Sequence, residues 1–233
     1  MNDKIPRFSR SWRVQHMLLM VSVLLLVISG FSMKYSETLW GKILIFLEGG
    51  FQARGALHRL SAVLLFATAI YHLIYISFTR EGKREFKSLL PIRNDLVDLK
   101  NSILYDLMKR AERPAFGRYS YREKIQYWAF FVFILLMFLS GMVMWFHDFF
   151  FAFLPKWAFD VSFALHGGTA TLVILFLVLW HMYVVHLSPA NFPANSSFWH
   201  GYVSVKWMKE NHFLEYESMI RDSEAKHAEG KED

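Results

Sequence analysis

The sequence predicts an all-α integral membrane protein that is built as a bundle of four transmembrane helices. Of its 233 residues, 54% are hydrophobic and 18% are aromatic, which is unusual for a soluble domain. Four apolar runs are long enough to cross the hydrocarbon core of a bilayer, which takes about 20 helical residues. Lysine and arginine are concentrated before the first run, between the second and third runs, and after the fourth. These observations argue against an ordinary soluble protein and make the lipid bilayer its expected surroundings.

The four predicted spans account for much of the chain. We expect the first to stay in the membrane, because it is too long for a cleavable signal peptide and no small-residue cleavage site follows it. A membrane domain is predicted for residues 1–200 and a cytoplasmic tail for residues 201–233. The predicted spans cover residues 14–33, 56–78, 125–146 and 162–187.

The distribution of Lys and Arg predicts the orientation of the spans. Four basic residues precede the first span, twelve lie in the connection 79–124, and five follow residue 188. The other two connections have only Lys34, Lys42, Arg54 and Lys156. By the positive-inside rule, both termini and the connection 79–124 are cytoplasmic. The net charge of +6 is then mostly a topology signal. Because the basic residues flank spans and alternate with acids, no nucleic-acid partner is expected.

The connections between the spans have their own predicted structure. The segment SETLWGKILIFLEGG contains an apolar stretch too short to cross the membrane, so we expect it at the outer interface. The other outer segment, HDFFFAFLPKWAF, is rich in Phe and Trp, as aromatic belts are. In the cytoplasmic connection, apolar residues at helical spacing predict an amphipathic helix. These apolar residues are Leu96, Leu99, Ile103 and Leu107.

Histidines occur in the spans in a pattern of two layers. Imidazole is rare inside a bilayer, where ionisable groups usually line a bundle interior or serve a site. His58 and His166 are predicted on the outer side, and the other three on the inner side. His58 and His72 share one helix face about 21 Å apart. Histidines of the loops and tail, including His212, are expected to be solvated. The histidines in this pattern are His16, His58, His72, His166 and His181, whereas His186, about 200° round the last span from His166, is expected to be an interfacial side chain.

Two layers of imidazoles are the donor set of two b-type haems. A low-spin haem b takes two axial imidazole nitrogens from opposite sides, which facing helices supply. His58 with His166 would hold an outer haem, and His181 an inner haem with either His16 or His72. The sequence has no cysteine, which excludes thiolate-held iron–sulfur clusters and covalent haem attachment. Alternatively, these histidines are interhelical hydrogen-bonding groups of a non-haem membrane anchor or transporter.

A resemblance to a known family is carried by five stretches of the chain. They are WRVQHMLLMVSVLLLVISG, ALHRLSAVL, GRYSYREKIQYWAFFVFILLMFLSGMVMW, LHGGTATLVILFLVLWHMY and WHGYVSVKWMKENH. Together they resemble the cytochrome b (gamma) subunit of membrane-bound formate dehydrogenase and its relatives in hydrogenase and thiosulfate reductase complexes. The resemblance covers all four predicted spans and much of the tail.

The resemblance implies a specific set of haem ligands. His16 and His181 would hold the inner haem, and His58 and His166 the outer haem. His72 has no ligand counterpart in the family pattern and stays an alternative inner ligand or a contact of a haem propionate.

The register of the last span departs from the family pattern. His166 and His181 are 15 residues apart, one residue more than in the family. A local bulge, expected near Gly167 and Gly168, would absorb the extra residue.

Two arginines near His58 are candidate partners of a haem propionate. They are Arg54 and Arg59, and their alternative role is contact with lipid headgroups. Either role needs an arginine near the predicted outer end of the second span.

The resemblance also implies the two ends of an electron path. At the outer face it implies an iron–sulfur or multihaem cytochrome subunit, and near the cytoplasmic face a site for menaquinone or ubiquinone. The quinone residues would be Tyr119, Ser120 and Arg122, together with His181. The family has Asn in place of Ser120 and Gly in place of Arg122, so the pocket would be reshaped.

The predicted function is therefore that of an electron-transfer subunit. We expect a membrane-anchoring dihaem cytochrome b subunit of a respiratory oxidoreductase, in the cytoplasmic membrane of a bacterium or archaeon. Its catalytic subunit would be a separate chain. The alternative with the same cofactors is a stand-alone cytochrome b quinol oxidase that passes electrons to a small outer acceptor.

Overall fold

The computed structural model describes residues 4–108 and 114–229, and most of them are helical. Within these residues, four helices are long and apolar enough to cross a membrane. They are Arg10–Lys34, Phe51–Phe78, Tyr121–Trp145 and Lys156–Leu187. The prediction of four such helices is thereby confirmed. Each helix begins four to six residues earlier than predicted, because hydropathy marks the apolar part of a helix while its backbone hydrogen bonds continue into polar residues.

The elements are numbered in chain order. The first helix, α1 (Arg10–Lys34), and the third, α3 (Phe51–Phe78), are joined by the short helix α2 (Leu39–Leu47). Helices α4 (Arg80–Leu89) and α5 (Arg93–Met108) follow α3. The remaining helices are α6 (Tyr121–Trp145), α7 (His147–Phe151), α8 (Lys156–Leu175), α9 (Ser197–His200), α10 (Val205–Asn211) and α11 (Phe213–Glu229). Strands β1 (Lys4–Pro6) and β2 (Tyr202–Ser204) pair antiparallel, with Ile5 opposite Val203.

The chain divides into two compact units. The first, which we call the span unit, comprises Ser11–Tyr75 and Trp128–Tyr183 and holds most of the four spans. The second, which we call the terminal unit, comprises Met1–Arg10, Ile76–Tyr127 and Val184–Asp233. The predicted boundary at residue 200 stays a prediction.

In the span unit, small polar residues are buried and large apolar ones are exposed. The buried residues of α1 are Gln15, Ser22, Ser29 and Ser32. Leu24 and Leu60, by contrast, expose more than half of their surface. Helices in lipid show this arrangement, because lipid tails solvate apolar side chains and small polar residues allow close packing. The exposed apolar spans are those of a multi-pass membrane protein.

Helix α2 has the geometry expected of a short helix outside the spans. The Thr38 hydroxyl caps it by accepting a hydrogen bond from the Gly41 amide at 3.1 Å. A Cβ on Gly41 would lie 1.9 Å from the Tyr35 carbonyl oxygen, so only glycine fits there. Trp40 and Phe46 are strongly exposed, at 75% and 81%. The apolar stretch of this segment thus forms a short helix, which was not predicted, and its place at the outer interface stays a prediction.

The terminal unit packs a small apolar core beside its two-stranded sheet. Met208 is fully buried, and Leu89 and Val203 are nearly so. The amphipathic helix predicted in the cytoplasmic connection is confirmed as α5, with Leu96 and Ile103 exposed. The side chain of Leu107 lies outside the described residues. Helix α4 was not predicted, because its charged sequence carries few apolar residues to mark a period.

The last span widens in its second half. After α8 the backbone continues as π-helix at Phe176–His181 and Tyr183–Leu187. A π-helix bonds residue i to i+5, so each turn takes up one more residue than an α-turn. The expected bulge is therefore present, but its predicted position was wrong. Gly167 and Gly168 lie within regular α-helix.

Candidate functional site

Four histidines of the span unit form two facing pairs. The rings of His58 and His166 have centroids 6.3 Å apart and planes inclined by 64°. The rings of His16 and His181 have centroids 6.4 Å apart and planes inclined by 30°. We call these the outer pair and the inner pair, after the predicted topology. Three of the four spans contribute: His16 lies on α1, His58 on α3, and His166 and His181 on the last span.

The spacing of each pair fits one metal ion between two imidazoles. A divalent first-row metal binds an imidazole nitrogen at about 2 Å, so two rings on opposite sides of one ion have centres about 6 Å apart. Among the described residues, no group of three or more His, Cys, Asp or Glu side chains converges as a metal site. A metal ion held by only two imidazoles has most of its coordination positions left for another group to fill. A haem supplies four such ligands from its macrocycle, so the donor set fits a haem.

The hydrogen bond of His58 defines its tautomer. The Ser29 hydroxyl donates its single proton to the Leu25 carbonyl oxygen at 2.6 Å. Its oxygen lies 2.9 Å from Nδ1 of His58, and with the hydroxyl proton on the Leu25 carbonyl it is placed to accept the Nδ1 proton. In the neutral imidazole, Nε2 then carries the lone pair. This is the nitrogen that a metal ion would bind.

His166 has the same arrangement with a serine on α6. The Ser140 hydroxyl donates to the Leu136 carbonyl oxygen at 2.6 Å, and its oxygen lies 3.0 Å from Nδ1 of His166. Nε2 of His166 thus also carries the lone pair. Both rings of the outer pair are held through Nδ1 by a hydroxyl from another span.

A glycine follows each of these serines and leaves room for the ring. A Cβ on Gly30 would lie 3.5 Å from Cε1 of His58, and one on Gly141 would lie 3.2 Å from Cε1 of His166. The Ser-Gly dipeptide is the signal that sequence reasoning missed, since it occurs in both the first and the third span.

The π-helical segment brings His181 back towards the face of His166. On a regular α-helix, 15 residues rotate about 60° past four turns. The segment Phe176–His181 rotates less per residue because each of its turns is wider. This explains how a span with one extra residue still places His181 opposite His16.

His72 is hydrogen-bonded to Gln15 of α1. Its Nδ1 donates to Oε1 of Gln15 at 2.8 Å. Its ring also makes an edge contact with Trp12, with centroids 5.6 Å apart. Nε2 of Gln15 donates to the Ser11 hydroxyl oxygen at 3.3 Å. The buried Gln15, which sequence reasoning did not single out, therefore orients His72.

Arg54 lies beside Ser29, the residue that is hydrogen-bonded to His58. Its Nη1 donates to the Ser29 carbonyl oxygen at 3.0 Å. Its Nε is buried and has no hydrogen-bond acceptor among the described residues. A half-buried guanidinium whose Nε has a donor to spare can take a carboxylate, such as a haem propionate. Arg59 is exposed, with its guanidinium near Gly55.

The three residues predicted to face a quinone belong to the terminal unit. The Tyr119 hydroxyl donates to Oε2 of Glu85 at 2.7 Å, and burial raises the pKa of Tyr119 well above its ordinary value. The Ser120 amide donates to Oε2 of Glu123 at 2.6 Å, which caps the start of α6. Nε of Arg122 donates to the Tyr121 hydroxyl oxygen at 3.0 Å. His181, the fourth predicted quinone residue, belongs to the span unit.

A buried ion-pair cluster, which sequence reasoning missed, joins the elements of the terminal unit. Arg7, on the segment after β1, pairs with Glu215 of α11. Arg118 pairs with Glu85 at 3.0 Å and with Glu215 at 2.8 Å. Buried charges are tolerated when they are paired and hydrogen-bonded. The cluster thus links the N-terminal segment, α4, the segment before α6 and α11.

His212 adjoins this cluster, and the expectation that it is solvated was wrong. It is only 4% exposed. Its Nδ1 donates to the Gly117 carbonyl oxygen at 2.6 Å. Burial lowers the pKa of His212, and Glu123, 3.7 Å from its Nε2, opposes this change. No local pattern marks a histidine in a polar helical tail as buried.

Comparisons with known proteins agree with these features. The family profile described as prokaryotic cytochrome b561 matches residues 7–200. The chain is 25% identical over 225 residues to the formate dehydrogenase cytochrome b556(fdo) subunit of Escherichia coli strain K12, covering 96% of this chain and 97% of that protein. The subunits of the same name from E. coli O6:H1 and O157:H7 match equally. The resemblance seen in the sequence is thereby confirmed.

Proposed function

The chain belongs to the prokaryotic cytochrome b561 family, and we propose that it is the dihaem, quinone-reactive member of a respiratory complex. At the level of the family, it is a membrane cytochrome b subunit of the formate dehydrogenase type, and its cofactor is haem b. The finer proposal is that two haems carry electrons across the membrane, between a partner subunit on the outer face and a quinone near the cytoplasmic face.

The two facing histidine pairs carry this proposal. His58 and His166 would hold the outer haem, and His16 and His181 the inner haem. The centroid distances of 6.3 and 6.4 Å support both assignments equally. Each bound haem supplies an iron that accepts and releases one electron. The protein's own part is to hold the rings, to present Nε2, and to separate the two sites along the bundle.

The separation of the two pairs suits electron transfer along the bundle. His166 and His181 are 15 residues apart on one helical segment, which is about 22 Å along the axis. Two haems at this spacing bridge much of a hydrocarbon core about 30 Å thick. The histidines of the last span thus define the path, and those of α1 and α3 complete it.

His72 is proposed to orient the inner side of the bundle without binding iron. Its Nδ1 bond to Gln15 and its contact with Trp12 hold it against α1. The inner pair already has two imidazoles without it. Arg54 and Arg59 are proposed to serve the propionates of the outer haem, and the spare buried Nε of Arg54 supports the first of these assignments.

The two ends of the path are proposed from the family. The similar E. coli proteins are subunits of formate dehydrogenase, which supports an association with catalytic and electron-transfer subunits. We propose an iron–sulfur or multihaem cytochrome partner on the outer face. The proposal of menaquinone or ubiquinone at Tyr119, Ser120, Arg122 and His181 rests on the sequence resemblance. The Lys and Arg distribution supports a cytoplasmic location for both termini, in a bacterial or archaeal cytoplasmic membrane.

A haem count tests the proposal directly. The full chain, purified from membranes in detergent, should contain two non-covalent haem b per polypeptide by the pyridine haemochrome assay. One haem or none per chain would overturn the dihaem proposal. Redox titration of the same sample should resolve two midpoint potentials, because the two sites differ in ring inclination and surroundings.

A further inference from the structure

We infer that Ser29 and Ser140 are positioning residues that set the midpoint potential of the outer haem. Each accepts the Nδ1 proton of one axial histidine, His58 or His166. The inference rests on the proposed function, since it concerns a haem held by these two histidines. It assigns roles to two serines that lie in different spans and would not touch the iron.

The two serines occupy equivalent places. Ser29 on α1 serves His58 on α3, and Ser140 on α6 serves His166 on α8. In each case the serine belongs to the span before that of its histidine. Both serines are buried, at 0% and 6% exposure. Their distances to Nδ1 are 2.9 and 3.0 Å, and both donate to the carbonyl four residues earlier at 2.6 Å. Two independent copies of one arrangement indicate a shared role.

The following glycines support this role. Each serine is followed by a glycine whose absent Cβ leaves room for the Cε1 edge of the same ring. At Gly141 a Cβ would come within 3.2 Å of Cε1 of His166, closer than ordinary van der Waals contact. The dipeptide thus holds one ring nitrogen and leaves space for the adjacent ring carbon. The hydrogen bond thus fixes the direction of Nδ1, and the glycine lets the ring lie close to the backbone of the neighbouring span.

Hydrogen bonding at Nδ1 affects the iron through the ligand nitrogen. Donation of the Nδ1 proton raises the basicity of the imidazole, which strengthens its bond to the oxidised, more positive iron. A hydroxyl oxygen whose own proton is donated to a carbonyl is polarised and is a better acceptor. Both serines are in this state, so both favour oxidised haem. Their removal should therefore raise the midpoint potential of the outer haem.

Other buried serines of the spans lack this contact and provide controls. Ser22 lies seven residues before Ser29 on α1, is fully buried, and donates to the Leu18 carbonyl oxygen at 2.8 Å. Ser61 on α3 donates to the Leu57 carbonyl oxygen at 2.8 Å. This back-bonding is a common way to satisfy a hydroxyl in a span. Ser29 and Ser140 differ from these serines because each also accepts a hydrogen bond from Nδ1 of a histidine.

The test is a redox titration of the full chain, purified in detergent, for Ser29→Ala, Ser140→Ala and the double variant. The ratio of reduced to oxidised outer haem at a fixed ambient potential should rise by about two- to tenfold per serine, the range expected for one hydrogen bond. The double variant should shift further, and the inner haem should keep its potential. Ser22→Ala should leave both haems unchanged.

Two further measurements separate this inference from a merely structural effect. The low-temperature electron paramagnetic resonance signal of the oxidised outer haem should change in the alanine variants, because it reports the orientation of the axial rings. Ser29→Thr and Ser140→Thr, which keep the hydroxyl, should restore the wild-type potential. If an alanine variant fails to fold, Ser→Cys at the same position keeps the size and replaces oxygen by a weak acceptor.

The possible outcomes distinguish the inference from the proposed function. Two haems per chain with unchanged outer potential in both alanine variants would overturn the inference and leave the proposed function standing. A shift in Ser22→Ala as large as that in Ser29→Ala would also overturn it. Absence of the outer haem from the unmodified protein would overturn both.

Discussion

Oε1 of Gln15 lies 2.8 Å from Nδ1 of His72, so the histidine that shares a helix face with His58 is bonded to α1. The residue after Gln15 is His16, whose ring faces that of His181. Neighbouring residues of α1 thus engage two different histidines, one as a hydrogen-bond acceptor and one as the facing ring of the inner pair. The choice of the inner ligand depends on this contact.

Replacement of His16 should remove the inner haem, and replacement of His72 should not. His16→Ala leaves His181 without its facing ring, so the low-spin spectrum of one haem should disappear together with quinone turnover. His72→Ala should keep two haems, with at most a changed potential, because the ring acts through Gln15. Absorption spectra and haem counts of the two purified variants are the measurement. Loss of a haem from the His72 variant alone would assign both haems to α3 and the last span.

Replacement of His58 or His166 should remove the outer haem only. An axial ligand lost from a bis-imidazole site leaves an open position, and the inner pair does not share residues with the outer pair. Spectra and haem counts of His58→Ala and His166→Ala should show one haem per chain with the potential of the inner site. His186→Ala, which changes a span histidine outside both pairs, serves as the control and should keep two haems. Loss of both haems from the outer-pair variants would contradict independent sites.

Removal of Arg7 should destabilise the terminal unit. Arg7→Ala leaves the buried Glu215 with one fewer counter-charge, and breaking a buried ion pair costs about 3 kcal/mol of unfolding free energy. Arg84→Ala is the matched control, because Arg84 also contacts a buried carboxylate, Glu85, but has a side chain 75% exposed. Its removal should cost about 0 to 1 kcal/mol. Hydrogen-exchange protection of α11 measures both, and equal effects would contradict the prediction.

Acid should destabilise the terminal unit through His212. Burial lowers the pKa of His212, Arg7 lowers it further, and Glu123 and Glu215 oppose this change. Below the unfolded pKa of about 6.5, the unfolded chain therefore binds more protons than the folded one. Unfolding free energy should be constant above this pH and fall by at most about 1.4 kcal/mol per pH unit below it, until the lowered pKa is reached.

The measurement is hydrogen-exchange protection of α11 between pH 7.5 and 5, corrected for intrinsic exchange rates. His212→Gln should have lower stability at neutral pH but should lose the acid dependence that His212 causes. His200→Gln, which changes an exposed histidine of the same unit, should behave as the wild type. An acid dependence of the His212 variant as steep as that of the wild type would disprove this mechanism.

The sequence by itself determined the class of protein, its spans and the candidate ligands. These are local properties. A run of about 20 apolar residues must leave water whatever its neighbours are, and its backbone must then form a helix to satisfy its hydrogen bonds. Histidines in such runs are equally visible, because burial of an imidazole in lipid needs a purpose. The family resemblance and the helix α5 followed from the same kind of local pattern.

The tertiary structure decided which side chains meet. His16 and His72 were both consistent with the helical period, and only helix packing brings His16 opposite His181 and Gln15 against His72. The burial of His212 and the position of the π-helical turns were likewise not visible as local patterns, and the repeated Ser-Gly dipeptide does not identify the histidine that each serine binds. The physical reason is that the helical period defines the face of a residue on its own helix, whereas a hydrogen bond between helices depends on the rotation and height of both.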